Sequence, residues 1–267
     1  MNRKTKDFLI KKYFDFRINT TELYDHIRFR KYPYKFLFLF SHMRSGSSLL
    51  THLIINNPEV IGYGETHLCY KSTEDLKKLL YNVYEKVRSY QMNEIYVLDK
   101  ILHNQRLQNN DFLSSQSIKT IFLLREPKAT INSLLILKPH WTSKEASNYY
   151  CGRLLTLVNY AQSINDRNRC LFITYEQIID QSQSVLDKLQ NYLNTKEEFS
   201  EQYQVTRITG LKGIGDSSSN IKSGKIIKKS PSKQMEIDHD SLNRAIASFS
   251  QTSETLSQYC QTIKDNL

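Results

Sequence analysis

Residues 44–48 read Arg-Ser-Gly-Ser-Ser and lie between an apolar run, FLFLF at 36–40, and a second one that resumes at Leu49. Such a composition suits an anion. A helix that begins just after Gly46 has unpaired N–H groups and a positive partial charge at its start, and both attract phosphate. Gly46 lets the backbone approach closely, the hydroxyls of Ser45, Ser47 and Ser48 can donate, and Arg44 adds a forked cation. The loop has neither the lysine nor the two spaced glycines of a Walker A sequence, which counts against an ordinary ATPase or kinase. A second candidate pair is Arg125 and Ser133, eight residues apart in FLLREPKATINSLL. With Arg125 ending a strand and Ser133 about two turns into the next helix, they can hold a second phosphate apart from the first. Two anion sites at two strand ends call for a nucleoside phosphorylated at both ends.

The elements that must place these groups alternate along the chain. Short apolar runs predict strands at 35–40, around 60–62, and at 94–99, 118–125 and 170–175. Between them helices are expected at 47–56, stopped by Asn57-Pro58, and at 72–90, with Ser72 and Asp75 as a capping box. Others are expected from Pro127, over 143–165 behind Thr142 and Glu145, over 176–193 and over 240–264. This alternation predicts an α/β fold, a doubly wound parallel sheet with helices on both faces. Ligands then bind beyond the carboxyl ends of the strands, in the loops after Phe40, Asp99, Leu124 and Thr174. The stretch 208–233, rich in Gly, Ser and Lys, reads as a long loop that orders on binding. Domain boundaries are expected as a basic helical arm, 1–34, and a single domain, 35–267.

RSGSSLL after a strand, with LLREPKATINSLL some eighty residues later, resembles the sulfotransferases that use 3′-phosphoadenosine-5′-phosphosulfate (PAPS). The resemblance covers roughly 35–235 and implies a P-loop-like fold with PAPS as co-substrate, adenosine 3′,5′-bisphosphate as product and no metal. It implies that Arg44, Ser45, Gly46, Ser47 and Ser48 hold the 5′-phosphosulfate and that Arg125 and Ser133 hold the 3′-phosphate. Tyr175 in FITYEQIID matches a tyrosine that can lie near the nucleotide. A late basic loop closes over the nucleotide in this family; 208–229 is the matching stretch, with Ser218, Ser219, Lys222 and Lys225 available. It departs from the R-K-G…G-D-W-K form of the cytosolic branch, so the resemblance assigns no individual contacts there.

Sulfuryl transfer needs a base near the acceptor hydroxyl and positive charge on the leaving oxygen. Glu65 in GYGETH, 21 residues after Arg44, resembles the glutamate base of the tyrosylprotein and heparan-type branch. His103 resembles the histidine of the cytosolic branch's K-x-H segment, except that Lys100 and His103 are three apart rather than two. His67 and His42 are the remaining candidates. Lys100 stands where the glutamate-using branch places a lysine on the donor's bridging oxygen. A glutamate base implies a hydroxyl acceptor on a carbohydrate, glycolipid or other alcohol rather than a phenol.

Bulk composition agrees with one globular α/β unit: 267 residues, 39% hydrophobic, with only five prolines. The net charge of +10 is concentrated in two places. Residues 1–35 hold ten Lys/Arg against four Asp/Glu, and 205–235 hold seven against Asp216 alone. Both point to anionic ligands or surfaces. Cys69, Cys151, Cys170 and Cys260 show neither zinc spacing nor a C-x-x-C pair, so reduced thiols in a cytoplasmic protein are expected. Two rival readings are a P-loop nucleotide or small-molecule kinase and a non-enzymatic binder of polyanions or membrane surfaces. The second would use the aromatic-basic stretch RKTKDFLIKKYFDFR, which could also give an enzyme peripheral membrane contact. No specific nucleic acid is implied.

Overall fold

Phe36, Phe38 and Phe40 turn to one face of β1 (Lys35–Ser41), Leu37 and Leu39 turn to the other, and all five are fully buried. A strand covered on both faces belongs in the middle of a parallel sheet. A computed structural model describes residues 2–205, 220–228 and 233–266. In it β1 is flanked by β3 (Tyr96–Ile101) and β4 (Ile118–Leu124). Outside these lie β2 (Val60–Ile61) and β5 (Cys170–Thr174), giving a parallel sheet of order β2-β3-β1-β4-β5. The α/β, doubly wound parallel sheet is the architecture expected from the alternating pattern.

One face packs α2 (Ser47–Ile55) and α7 (Ser182–Leu193) against Leu37, Leu39, Leu98 and Ile121. The other face packs α1 (Arg3–Ile18), α3 (Glu74–Val87), α4 (Pro127–Leu137), α5 (Ser143–Ile164) and α8 (His239–Tyr259) against the phenylalanine side. Residues 3–18, read from the sequence as part of an arm, bury Ile10, Phe14 and Ile18 in this same core. The chain leaves β1 toward β2 and leaves β4 toward β5. The crevice between the carboxyl ends of β1 and β4 is therefore the topological switch point.

Several boundaries differ from expectation, each for a physical reason. The third strand begins at Tyr96 instead of residue 94, because its ladder with β1 runs from Lys35–Tyr96 to Phe40–Ile101. Lys100 thus lies inside a strand. The helix expected over 176–193 breaks at Gln181, outside helical geometry at φ −132°, into α6 (Tyr175–Asp180) and α7. The capping box at Thr142 and Glu145 forms in full, whereas α3 starts after Thr73 without a side-chain cap. There Asp75 instead accepts from the N–H groups of Lys71 (2.8 Å) and Ser72 (3.4 Å).

Candidate active site

The turn from β1 into α2 contains two left-handed residues, Arg44 (φ 65°) and Gly46 (φ 84°). Gly46 is the N-cap of α2, and Ser45 Oγ accepts from the Ser47 N–H at 3.3 Å. The first turn of α2 stands at the mouth of a cleft of about 980 Å³. The cleft is lined by Arg44, Gly46, Ser47 and Ser48 from this turn, and by Glu65, Lys100, His103, Arg125, Ser133 and Tyr175 from elsewhere. Ser45 is buried beneath the loop and acts as its internal brace. Lys225 also lines the cleft, whereas Ser218 and Ser219 lie outside the described residues.

Glycine at 46 is required for two reasons. A Cβ there would stand 2.2 Å from Tyr175 Cδ2 and 2.6 Å from Cε2, and the left-handed backbone disfavours any L side chain. Gly46→Ala is expected to lose about 1–2 kcal/mol to the backbone alone, plus the cost of displacing the ring, measured by denaturant unfolding. Adding Tyr175→Ala should restore the ring's share and leave the backbone share.

Arg125 closes the other side of the switch point. Its Nη1 donates to the Arg44 carbonyl at 3.1 Å, and its guanidinium lies 4.3 Å from the centre of the Tyr175 ring. Its Nε is buried with no hydrogen-bond partner among the described residues. Arg44 Nε donates to Ser133 Oγ at 2.7 Å. Arg44, Arg125 and Ser133 thus form one cluster. Behind them His42 is fully buried: its Nδ1 faces the Met43 carbonyl (2.9 Å) and its Nε2 accepts from the Arg125 N–H (3.2 Å). Burial depresses its pKa to about 3. With both nitrogens occupied, His42 is a brace for the two loops.

The second cluster centres on Lys100, whose side chain is 1% exposed. Even-numbered residues of β3 face α2, so Lys100 Nζ lies 3.3 Å from Ser48 Oγ and 3.6 Å from Glu65 Oε1. Glu65 Oε2 is 4.0 Å from His103 Nε2, and burial holds the His103 pKa below the usual histidine range. His67 is at the rim, where its carbonyl accepts from Arg106 at 2.6 Å.

Two supporting residues escaped the sequence reading. Asp99 points to the opposite face from Lys100. Its carboxylate accepts from the Thr66 N–H (2.9 Å), the Thr66 hydroxyl (2.7 Å), the Tyr70 hydroxyl (2.6 Å) and the Lys100 N–H (2.9 Å). Burial raises its pKa even against these bonds. The Lys100 N–H also donates to the Gly64 carbonyl at 3.2 Å. Glu65 is thereby pinned on both sides. The second residue, Arg153 of α5, is 2% exposed and donates to the Ser41 carbonyl (2.8 Å), the Ile101 carbonyl (2.7 Å) and Asn104 Oδ1 (2.7 Å). It ties the ends of β1 and β3 together. The one sequence signal for Asp99 was a carboxylate inside an apolar strand; for Arg153 there was none.

No protein-family model matches the sequence, and no curated protein matches it. Solved structures do match the fold. One is a sulfotransferase domain from the curacin biosynthetic pathway, at 18% identity and TM-score 0.56, covering 83% of this chain and 99% of that one. Another is the sulfotransferase domain of the Synechococcus PCC 7002 olefin synthase, at 18% identity and TM-score 0.51, covering 83% and 96%. The chain has the fold of these domains.

Proposed function

We propose that this chain transfers a sulfuryl group from PAPS to a hydroxyl acceptor on a carbohydrate, glycolipid or other alcohol. The observation that carries this reading is the line Ser48–Lys100–Glu65, spaced 3.3 and 3.6 Å apart, at the N-terminus of α2. It sets a carboxylate, a buried cation and the N-terminal turn of a helix side by side, which are the parts that transfer between two oxygens requires. Glu65 takes the acceptor's proton as that oxygen bonds to sulfur. The bond from sulfur to the 5′-phosphate oxygen breaks, and its electron pair stays on that oxygen. Lys100 Nζ and the α2 N–H groups offset the new charge. The products are a sulfate ester and adenosine 3′,5′-bisphosphate.

The donor fits the residues present. The unpartnered Nε of Arg125 supports a 3′-phosphate beside Arg44 and Ser133. On this reading Arg44 serves the 3′ end, and the 5′ end falls to Ser47, Ser48 and Lys100. A kinase reading would need a lysine after Gly46, where Ser47 stands. The test is calorimetry with adenosine 3′,5′-bisphosphate, followed by labelled PAPS with a panel of alcohols, sugars and glycolipids. Phosphoryl transfer from ATP–Mg²⁺ without binding of the bisphosphate would overturn the proposal.

Asp99 enters this scheme as a positioning residue, because it touches Thr66 and Lys100 rather than the reacting atoms. Asp99→Asn keeps the shape but replaces one acceptor oxygen by a donor, so a bond to Thr66 or Tyr70 is lost. The expected outcome is a fall in kcat approaching 10²-fold, the order associated with a misplaced catalytic group. Bisphosphate affinity should stay constant. Equal losses in kcat and in affinity would show a general collapse of the cleft instead.

A further inference from the structure

Helix α1 carries apolar side chains on two opposite faces. Ile10, Phe14 and Ile18 recur every fourth residue and are buried in the core. Phe8, Lys12 and Phe16 recur at the same step, offset by two residues and so about 200° around the helix. Phe8 and Phe16 are 57% and 45% exposed. The first stripe accounts for the packing of α1 on the core, and the second lies outside that core. Phe29 extends it: the residue is 82% exposed, with its ring 6.2 Å from that of Phe16, on a left-handed backbone (φ 63°) uncommon for a bulky residue. Leu9 and Leu23 are exposed in the same segment.

Each of these rings is accompanied by a cation. Lys12 Nζ is 5.8 Å from the Phe8 ring, the Arg28 guanidinium 4.6 Å from Phe16, and the Arg17 guanidinium 5.6 Å from Phe29. Lys4, Lys6, Lys11 and Lys31 are exposed around them. Of the four carboxylates in residues 1–35, Asp7 is paired with Arg88 and Asp25 with His26, both at 2.7 Å. None of these residues lines the cleft.

We infer that this face docks on an anionic lipid bilayer, with the rings entering the headgroup layer and the cations meeting lipid phosphates. Both halves of the surface are then used, since aromatic side chains gain by leaving water at a membrane interface and basic ones gain from anionic lipid. A polyanion in water would satisfy the cations and leave Phe8, Leu9 and Phe29 wet. A second copy of this chain would set like charge against like.

The test is sedimentation of the full chain with phosphatidylcholine vesicles, with and without phosphatidylglycerol. Partition onto the anionic vesicles alone is expected. It should be lost in the F8S/F29S variant and weakened roughly fivefold for each cation removed in K11Q/K12Q, with circular dichroism and bisphosphate affinity unchanged. Three results would overturn the proposal: no partition, partition that F8S/F29S retains in full, or a soluble dimer abolished by F8S/F29S in a protein that ignores vesicles.

Discussion

Glu65→Gln is expected to lower turnover by about 10²–10⁴, the usual cost of removing a general base, with the affinity for adenosine 3′,5′-bisphosphate unchanged. Glutamine keeps the size of the side chain, and although it ends the 3.6 Å ion pair with Lys100, the backbone of the loop stays held through Thr66 and Gly64 to Asp99 and Lys100. Lys100 retains Ser48 at 3.3 Å, so the α2 end of the cleft stays in place. His103→Ala is expected to matter much less. His103 is 4.0 Å from Glu65 on the rim side, with its side chain one-third exposed, whereas Lys100 is buried beside α2 and Glu65 is 13% exposed. Single-turnover rates with any working acceptor, alongside calorimetry on both variants, check this. Near-full turnover in Glu65→Gln together with its abolition in His103→Ala would move the base to His103.

Arg125→Ala is expected to cost about 2–3 kcal/mol in binding of adenosine 3′,5′-bisphosphate, the scale of a charge-assisted bidentate contact, and to change AMP binding little. The comparison with AMP is essential. Arg125 also donates to the Arg44 carbonyl and packs on Tyr175, so its removal loosens the loop for either nucleotide. Only the difference between the two reports on the 3′-phosphate. Arg125→Lys should recover part of the loss, because it keeps the charge without the fork. Equal affinity for the two nucleotides in the unmodified protein would remove the 3′-phosphate from the cluster of Arg44, Arg125 and Ser133.

Much of this site was legible in the chain, and the limit falls at a definite physical boundary. KFLFLF, IKTIFLLR and CLFITY are short runs dominated by apolar residues, and that alone predicts strands of a parallel sheet covered by helices, with chemistry in the loops beyond them. Gly46 between serines, Pro127 at a helix start and the Thr142–Glu145 box are likewise local signals, because each acts on the backbone within a few residues of itself: Gly46 by its left-handed φ, Pro127 by its fixed φ, and the box by hydrogen bonds. Displacement of the third strand by two residues, from 94–99 to Tyr96–Ile101, did not change which face Lys100 occupies, since side chains in a strand repeat every second residue.

What the sequence could not determine is which distant partner each polar group meets. Arg44 reaches Ser133 across 89 residues, Arg153 reaches Ser41 across 112, and Thr66 reaches Asp99 across 33. Those pairings follow from strand order and register: β1 lies between β3 and β4, so the loops after all three converge on one edge of the sheet. The second apolar stripe of α1 is a similar case. Its spacing is written in the sequence, but only the packing of Ile10, Phe14 and Ile18 against the core decides that Phe8 and Phe16 are the ones left facing solvent.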